Sequence, residues 1–205
     1  MKRELLGDGK EWIIYPREWY RTGELYVFGT EGVNADDVKR SVNLVSNIVR
    51  EFSLPLQVFN GHTSRIKDAS LIMTLIAKHT TRQNIIDCDA ILAELSKGSY
   101  KTSLPYGIVV LANPDKYHFK KKPGQQQTSI NGEGYPQGLV ILRRYDLENA
   151  VKHEIGHMIG LNHHLNCVMD SYCLTSHYCE QCKKKIRAIW SLDNNSNDTS
   201  SQSQT

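Results

Sequence analysis

The segment His153-Glu154-Ile155-Gly156-His157-Met158-Ile159-Gly160-Leu161-Asn162-His163 constrains the fold more than any other stretch, because it demands a helix that ends abruptly. Residues four apart share a helix face, so His153 and His157 can aim ring nitrogens at one ion. Glu154 is rotated to flank that ion, where a carboxylate can act as general base. On an unbroken helix His163 would come round by about 280° from His153 and miss the ion. The helix must therefore stop, and Gly160, free to enter the left-handed region, supplies the stop. Three histidine ligands leave a fourth position open for water, which is the arrangement of catalytic zinc. The chemistry expected is hydrolysis of a peptide bond by a zinc-activated water, with Glu154 taking the proton and passing it to the leaving amine.

The remaining sequence supplies a sheet for that helix. Residues 12–15 and 24–29 have the β-branched and aromatic content of strands, punctuated by Pro16 and Gly23. Over 35–52, Val38, Val42, Val45, Val49 and Phe52 recur at helical spacing and form one apolar stripe. Residues 54–60 read as the next strand. The apolar run 71–76 fits either a buried helix or a strand, whereas 89–97 reads as a helix stopped by Gly98. Residues 106–112 lack alternation, as expected of an inner strand covered on both faces. The polar stretch 116–137 reads as loop with an irregular edge strand, and 139–142 as the last apolar strand. Asp146 is the expected N-cap of the motif helix. A single domain over 1–190 is expected, followed by a polar tail over 191–205 too poor in apolar residues to order itself.

Downstream of His163, Cys167-Val168-Met169 places a methionine six residues past the third histidine, and Cys179-Glu180-Gln181-Cys182 follows. A histidine triad, then Cys-x-Met, then Cys-x-x-Cys resembles the archaemetzincin family of metzincin zinc peptidases, over the stretch from His153 to Cys182. The resemblance implies an α/β fold: a twisted mixed β-sheet packed on two long helices, the second bearing His153 and His157. It also implies a methionine turn at Met169 and a small zinc-stapled C-terminal subdomain over about 161–190. Aminopeptidase action is within its scope. In the metzincin fold an edge strand borders the cleft and pairs with extended substrate; residues 126–134 are the candidate here. Tyr172 could stabilise an oxyanion as tyrosines do in some metzincins, although a surface or packing role is the simpler expectation.

Family members usually carry a cysteine directly after the third histidine, as one ligand of a second, four-thiolate zinc site. Here that position is His164, the spacer before Cys-x-x-Cys is shortened, and Cys173 lies within it. Two ligand sets follow. One is Cys167, Cys173, Cys179 and Cys182; the other replaces Cys173 with His164, and both would make closed tetrahedral structural zinc. The four-thiolate set is favoured because Cys173 otherwise has no role. The expected cofactors are thus two Zn²⁺ ions, one catalytic and one structural. Cys88, apart from the cluster, reads as a small buried residue.

Charge and composition narrow the partners. A net charge of +3 is too weak to predict nucleic-acid binding. Lys120-Lys121-Lys122, and Lys183-Lys184-Lys185 with Arg187, read as solvated faces without interleaved aromatic residues. No stretch has the apolar length of a membrane span, and residues 1–10 lack the apolar run of a secretory signal. A cytoplasmic monomer acting on peptide or protein is expected, with its thiols reduced. The alternative is a catalytically weak zinc-containing module that binds peptide or nucleic acid, and an intact Glu154 speaks against a pure binder.

Overall fold

The computed structural model describes residues 2–5, 11–14, 18–62, 69–97, 106–120, 131–163, 165–170 and 175–196. The chain begins with an antiparallel ribbon, β1 (Lys2–Leu5) and β2 (Glu11–Ile14), and a 3₁₀ turn, Glu18–Thr22, that carries Trp19. A parallel unit follows: β3 (Glu24–Gly29), α1 (Ala35–Glu51) and β4 (Gln57–Asn60), which lies beside β3. Next come α2 (Ala69–Lys78), β5 (Ile85–Ile86) and α3 (Cys88–Lys97). The inner strand β6 (Gly107–Leu111) is followed by β7 (His118–Phe119), which pairs with β5 outside the main sheet. The strands β8 (Gly132–Tyr135) and β9 (Leu139–Leu142) lead into α4 (Glu148–Met158), and α5 (Glu180–Ser196) ends the described chain.

The main sheet is mixed, ordered β4-β3-β6-β9-β8, with β8 antiparallel to β9 and the other neighbours parallel. Its middle is dry. Every residue of β6 and β9 is buried, which explains why both lack apolar–polar alternation. Asn34 caps α1 by accepting from the Asp37 amide at 2.7 Å, and two aspartates in the first turn complement the helix dipole. The buried face of α1 is Val38, Ser41, Val45, Ile48 and Val49, so it is rotated slightly from the stripe drawn through Val42, which is half-buried. No helix among the described residues is long and apolar enough to cross a membrane.

The structure decides one sequence expectation and revises several others. The apolar run 71–76, open between helix and strand in the sequence, is helical, inside α2. The strand expected over 54–60 begins only at Gln57, after Pro55, whose missing amide cannot join a ladder. Among its described residues the stretch 116–137 contains two short strands rather than one. Asp146 does not cap α4: Leu147 occupies that position without a side-chain hydrogen bond. The Asp146 carboxylate is instead held by Arg144, whose Nε and Nη2 donate to it at 2.9 and 3.0 Å. Finally, α5 had no counterpart in the sequence reading. Ile186, Ile189 and Trp190 recur at i, i+3 and i+4 and are all buried, and the helix continues to Ser196, into the segment read as a polar tail. Residues 197–205 lie outside the described residues.

Two glycines bring β8 onto α4. Gly132 and Gly134 alternate to the same face of the strand, as the pleat requires. A Cβ on Gly132 would lie 2.6 Å from Glu154 Cγ and 2.9 Å from Leu142 Cδ2. A Cβ on Gly134 would fall inside the contact shell of the Glu154 carbonyl oxygen and 3.0 Å from His157 Cβ. Because the Gly134 neighbour is backbone, it cannot swing aside, and Gly134→Ala must lift the edge strand off the helix. We expect a loss of about 1–3 kcal/mol, read as a lower urea midpoint with an unchanged slope.

Candidate metal centres

The histidine cluster is assembled by α4 and the turn after it. His153 and His157 lie one helical turn apart, with ring centroids separated by 4.7 Å. The helix ends at Ile159; Gly160 adopts φ +103, and the Leu161 amide donates back to the Gly156 carbonyl at 2.8 Å. That reversal returns His163 to the pair, its ring centroid 5.2 Å from that of His153 and 4.9 Å from that of His157. One ligand atom from each of the three rings lies within 4.8 Å of the other two. His153 is buried, His157 half-buried and His163 exposed, so the cluster opens toward solvent on the His163 side.

Backbone carbonyls set the direction of two rings. His153 Nδ1 is 2.8 Å from the Val168 carbonyl oxygen, and His157 Nδ1 is 3.0 Å from that of Leu161. A carbonyl oxygen only accepts, so each Nδ1 carries the proton and each neutral ring presents Nε2 as a lone pair. These two Nε2 atoms face each other at 3.0 Å. Between neutral rings that contact has no hydrogen to share. Protonating His153 would supply one, but burial pushes its pKa below the ordinary histidine value, with the Val168 hydrogen bond acting in the opposite sense. A cation resolves the conflict. The separation is close to the roughly 3.3 Å that two zinc–nitrogen bonds of about 2.0–2.1 Å subtend at a tetrahedral angle.

The second cluster lies where the 167–169 turn meets the start of α5. Cys167, Cys179 and Cys182 bring their sulfurs within 4.8 Å of one another, and none of the described cysteines forms a disulfide. Cys167 Sγ and Cys182 Sγ are 3.7 Å apart. Two zinc–sulfur bonds of about 2.3 Å at a tetrahedral angle place their sulfurs roughly 3.8 Å apart, so this donor set fits zinc as well. Burial pushes the Cys182 thiol well above its ordinary range, reinforced by the neighbouring thiols of Cys179 and Cys167. At Cys179 burial also acts upward, but hydrogen bonds from the Cys182 and Gln181 backbone and from the two neighbouring thiols outweigh it and hold this thiol below its usual value. The fourth ligand expected by sequence, Cys173 or His164, lies outside the described residues, as does Tyr172.

Met169 is fully buried beneath α4. A Cβ on Gly156 would collide with its Sδ, so the glycine between the two ligand histidines is what lets the methionine approach. Cys88, buried on α3, stands apart from both clusters. Sequence reading missed four features that shape the centre: the Val168 and Leu161 carbonyls, the Tyr178 hydroxyl, and the glycine pair of β8. Only the last left a trace, as Gly-x-Gly at strand spacing.

The chain matches no family model, no curated protein and no solved structure. The case for metal binding is therefore made by the donor atoms themselves: two separate clusters, one of three histidines and one of three cysteines, each able to coordinate an ion.

At saturating zinc, elemental analysis should find two ions per chain, falling to one in His157→Ala and to one in Cys179→Ser; a single ion throughout would refute the second centre. Stripping metal should also lower the melting temperature. A ligand present at a thousand times its Kd stabilises by about 4 kcal/mol, which for a chain of this size is roughly 8–16 °C per site.

Proposed function

We propose that the chain is a zinc metallopeptidase of metzincin type, similar to the archaemetzincins, in which His153, His157 and His163 hold the catalytic zinc and Glu154 is the general base. The observation that carries this reading is the facing pair of Nε2 atoms, 3.0 Å apart on the same helical turn that bears a glutamate directly after the first ligand. Held by His153, His157 and His163, a zinc ion would supply Lewis acidity, of the kind that lowers the pKa of water from about 15.7 toward about 7. The protein's own residues supply the rest.

Glu154 is 8% exposed and packs under β8, where Gly132 leaves space for its side chain. Its part is to take a proton from the attacking water and deliver it to the departing amine nitrogen. The substrate's backbone can be aligned by the same strand. Among the described residues β8 ends the sheet, and an extended peptide adds readily to such an edge. Because β8 rests directly on α4, a peptide paired to it would lie in fixed register with Glu154. The sequence reading puts a substrate-binding edge within 126–134, of which residues 131–134 are described.

Cys167, Cys179 and Cys182 would hold a structural zinc, completed by Cys173 or His164. The C-terminal segment then has its own metal staple, and a cytoplasmic setting would keep its thiols reduced.

Glu154→Gln removes the base but no ligand. It should retain both zinc ions while peptide hydrolysis falls by about a hundredfold or more; a variant that still turns over peptide at the original rate would sink the assignment. A subtler change is Gly132→Ala, whose new Cβ displaces the Glu154 side chain. We expect kcat to drop by roughly tenfold to a hundredfold with zinc content unaltered, measured on the folded fraction with a fluorogenic peptide library.

A further inference from the structure

The two clusters are joined through His153. Cys167 sits one residue before Val168, whose carbonyl oxygen holds His153 Nδ1. Cys167 Sγ also accepts from the Met169 amide at 3.2 Å, so the sulfur shapes the turn from which that carbonyl projects. The Val168 amide in turn donates to the His177 carbonyl at 2.9 Å. Between His177 and Cys179 stands Tyr178, 1% exposed, with its ring edge-on to Phe52. The Tyr178 hydroxyl donates to the Lys152 carbonyl at 2.6 Å, on the residue before His153. Lys152 answers from its own side, since Nζ donates to the Ser176 carbonyl at 2.9 Å.

Two lengths of chain therefore converge on one ligand. Residues 167–169 direct its ring, residues 176–179 hold the helix backbone that carries it, and each length includes a cysteine of the same cluster. Cys182, from the first turn of α5, closes the arrangement.

We propose that the cysteine cluster is a positioning device for His153, so that metal bound by Cys167, Cys179 and Cys182 raises the metal affinity of the histidine cluster, with Tyr178 as a positioning residue between them. The proposal rests on the metal centres of the preceding reading and not on hydrolysis. Partners that orient a ligand histidine typically change metal affinity by about 10- to 100-fold when removed. Coupling between two binding equilibria is reciprocal, so the histidine cluster must strengthen the cysteine cluster by the same factor. A simple staple would stabilise the fold without this reciprocity.

Cobalt(II) titration of the full chain separates the two sites, because thiolate-to-cobalt charge transfer reports the cysteines and ligand-field absorption reports the histidine site once the thiols are accounted for. In Cys182→Ser the cobalt dissociation constant of the histidine site should rise by about 10- to 100-fold. Tyr178→Phe, which keeps every ligand, should raise it several-fold, while Tyr178→Leu should do so further; the aromatic ring alone thus restores part of the effect. In His157→Ala, or in His163→Ala if that chain does not fold, the cysteine site should weaken by a factor similar to that seen for Cys182→Ser. An unchanged histidine site in folded Cys182→Ser overturns the proposal. So does weakening on one side only, which is damage to a site rather than coupling. If Cys182→Ser does not fold, the reciprocal arm decides alone: an undiminished cysteine site overturns the coupling, and a weakened one supports it. None of these readings depends on turnover, so failure of the coupling leaves the peptidase reading intact, and absence of hydrolysis leaves the coupling intact.

Discussion

The carbonyl oxygens of Val168 and Leu161 accept hydrogen bonds from Nδ1 of His153 and His157, and the character of the whole centre follows from where those protons are held. With Nδ1 committed, both rings can offer only lone pairs to the space between them. Burial of His153 lowers its pKa and so works against a second proton on that ring. In a partly buried site of low dielectric such a pair of acceptors is costly unless a cation lies between them. The sequence tolerates that cost at one point in the fold, where the glycine at 160 turns the chain and brings His163 to the same spot.

The scaffold under this centre is unusually direct. α4 does not reach the sheet through a layer of long side chains along its whole length; at Gly132 and Gly134 the strand backbone itself meets the helix. The helix is thus indexed to β8, β8 to β9 by antiparallel pairing, and β9 to the fully buried β6. A ligand geometry that must hold to fractions of an ångström is better served by such rigid contacts than by loops. The apolar middle of the sheet and the polar centre are parts of one mechanical chain.

Much of this was legible in the sequence for physical reasons that differ by element. His153, His157 and Glu154 are fixed by helical periodicity alone, and the turn that brings His163 back is fixed by the conformational freedom of Gly160. β6 and β9 announce themselves because strands buried on both faces are continuous apolar runs. What escaped depends on atoms that every residue has, or on partners distant in sequence. The Val168 carbonyl is not a side chain, and nothing in Asp146 alone indicates that Arg144 takes its carboxylate away from the helix terminus. α5 was hidden by its composition: its polar residues outnumber Ile186, Ile189 and Trp190, although those three suffice for a buried face.

That last helix has a bearing on how the centre comes into being. Trp190 meets Trp19 edge-on at 6.2 Å, and Trp19 in turn covers Gly107 and Gly138 and donates to the Pro136 carbonyl, while Ile189 abuts Gly160 at the helix stop. The histidines precede α5 in the order of synthesis, although Trp19, Gly107 and Gly138 precede them. A growing chain carries its three imidazoles before it carries the cysteine cluster and the helix that packs against their turn. When the third imidazole has just been made, the Val168 carbonyl that directs His153 and the Ile189 side chain that meets Gly160 are not yet present.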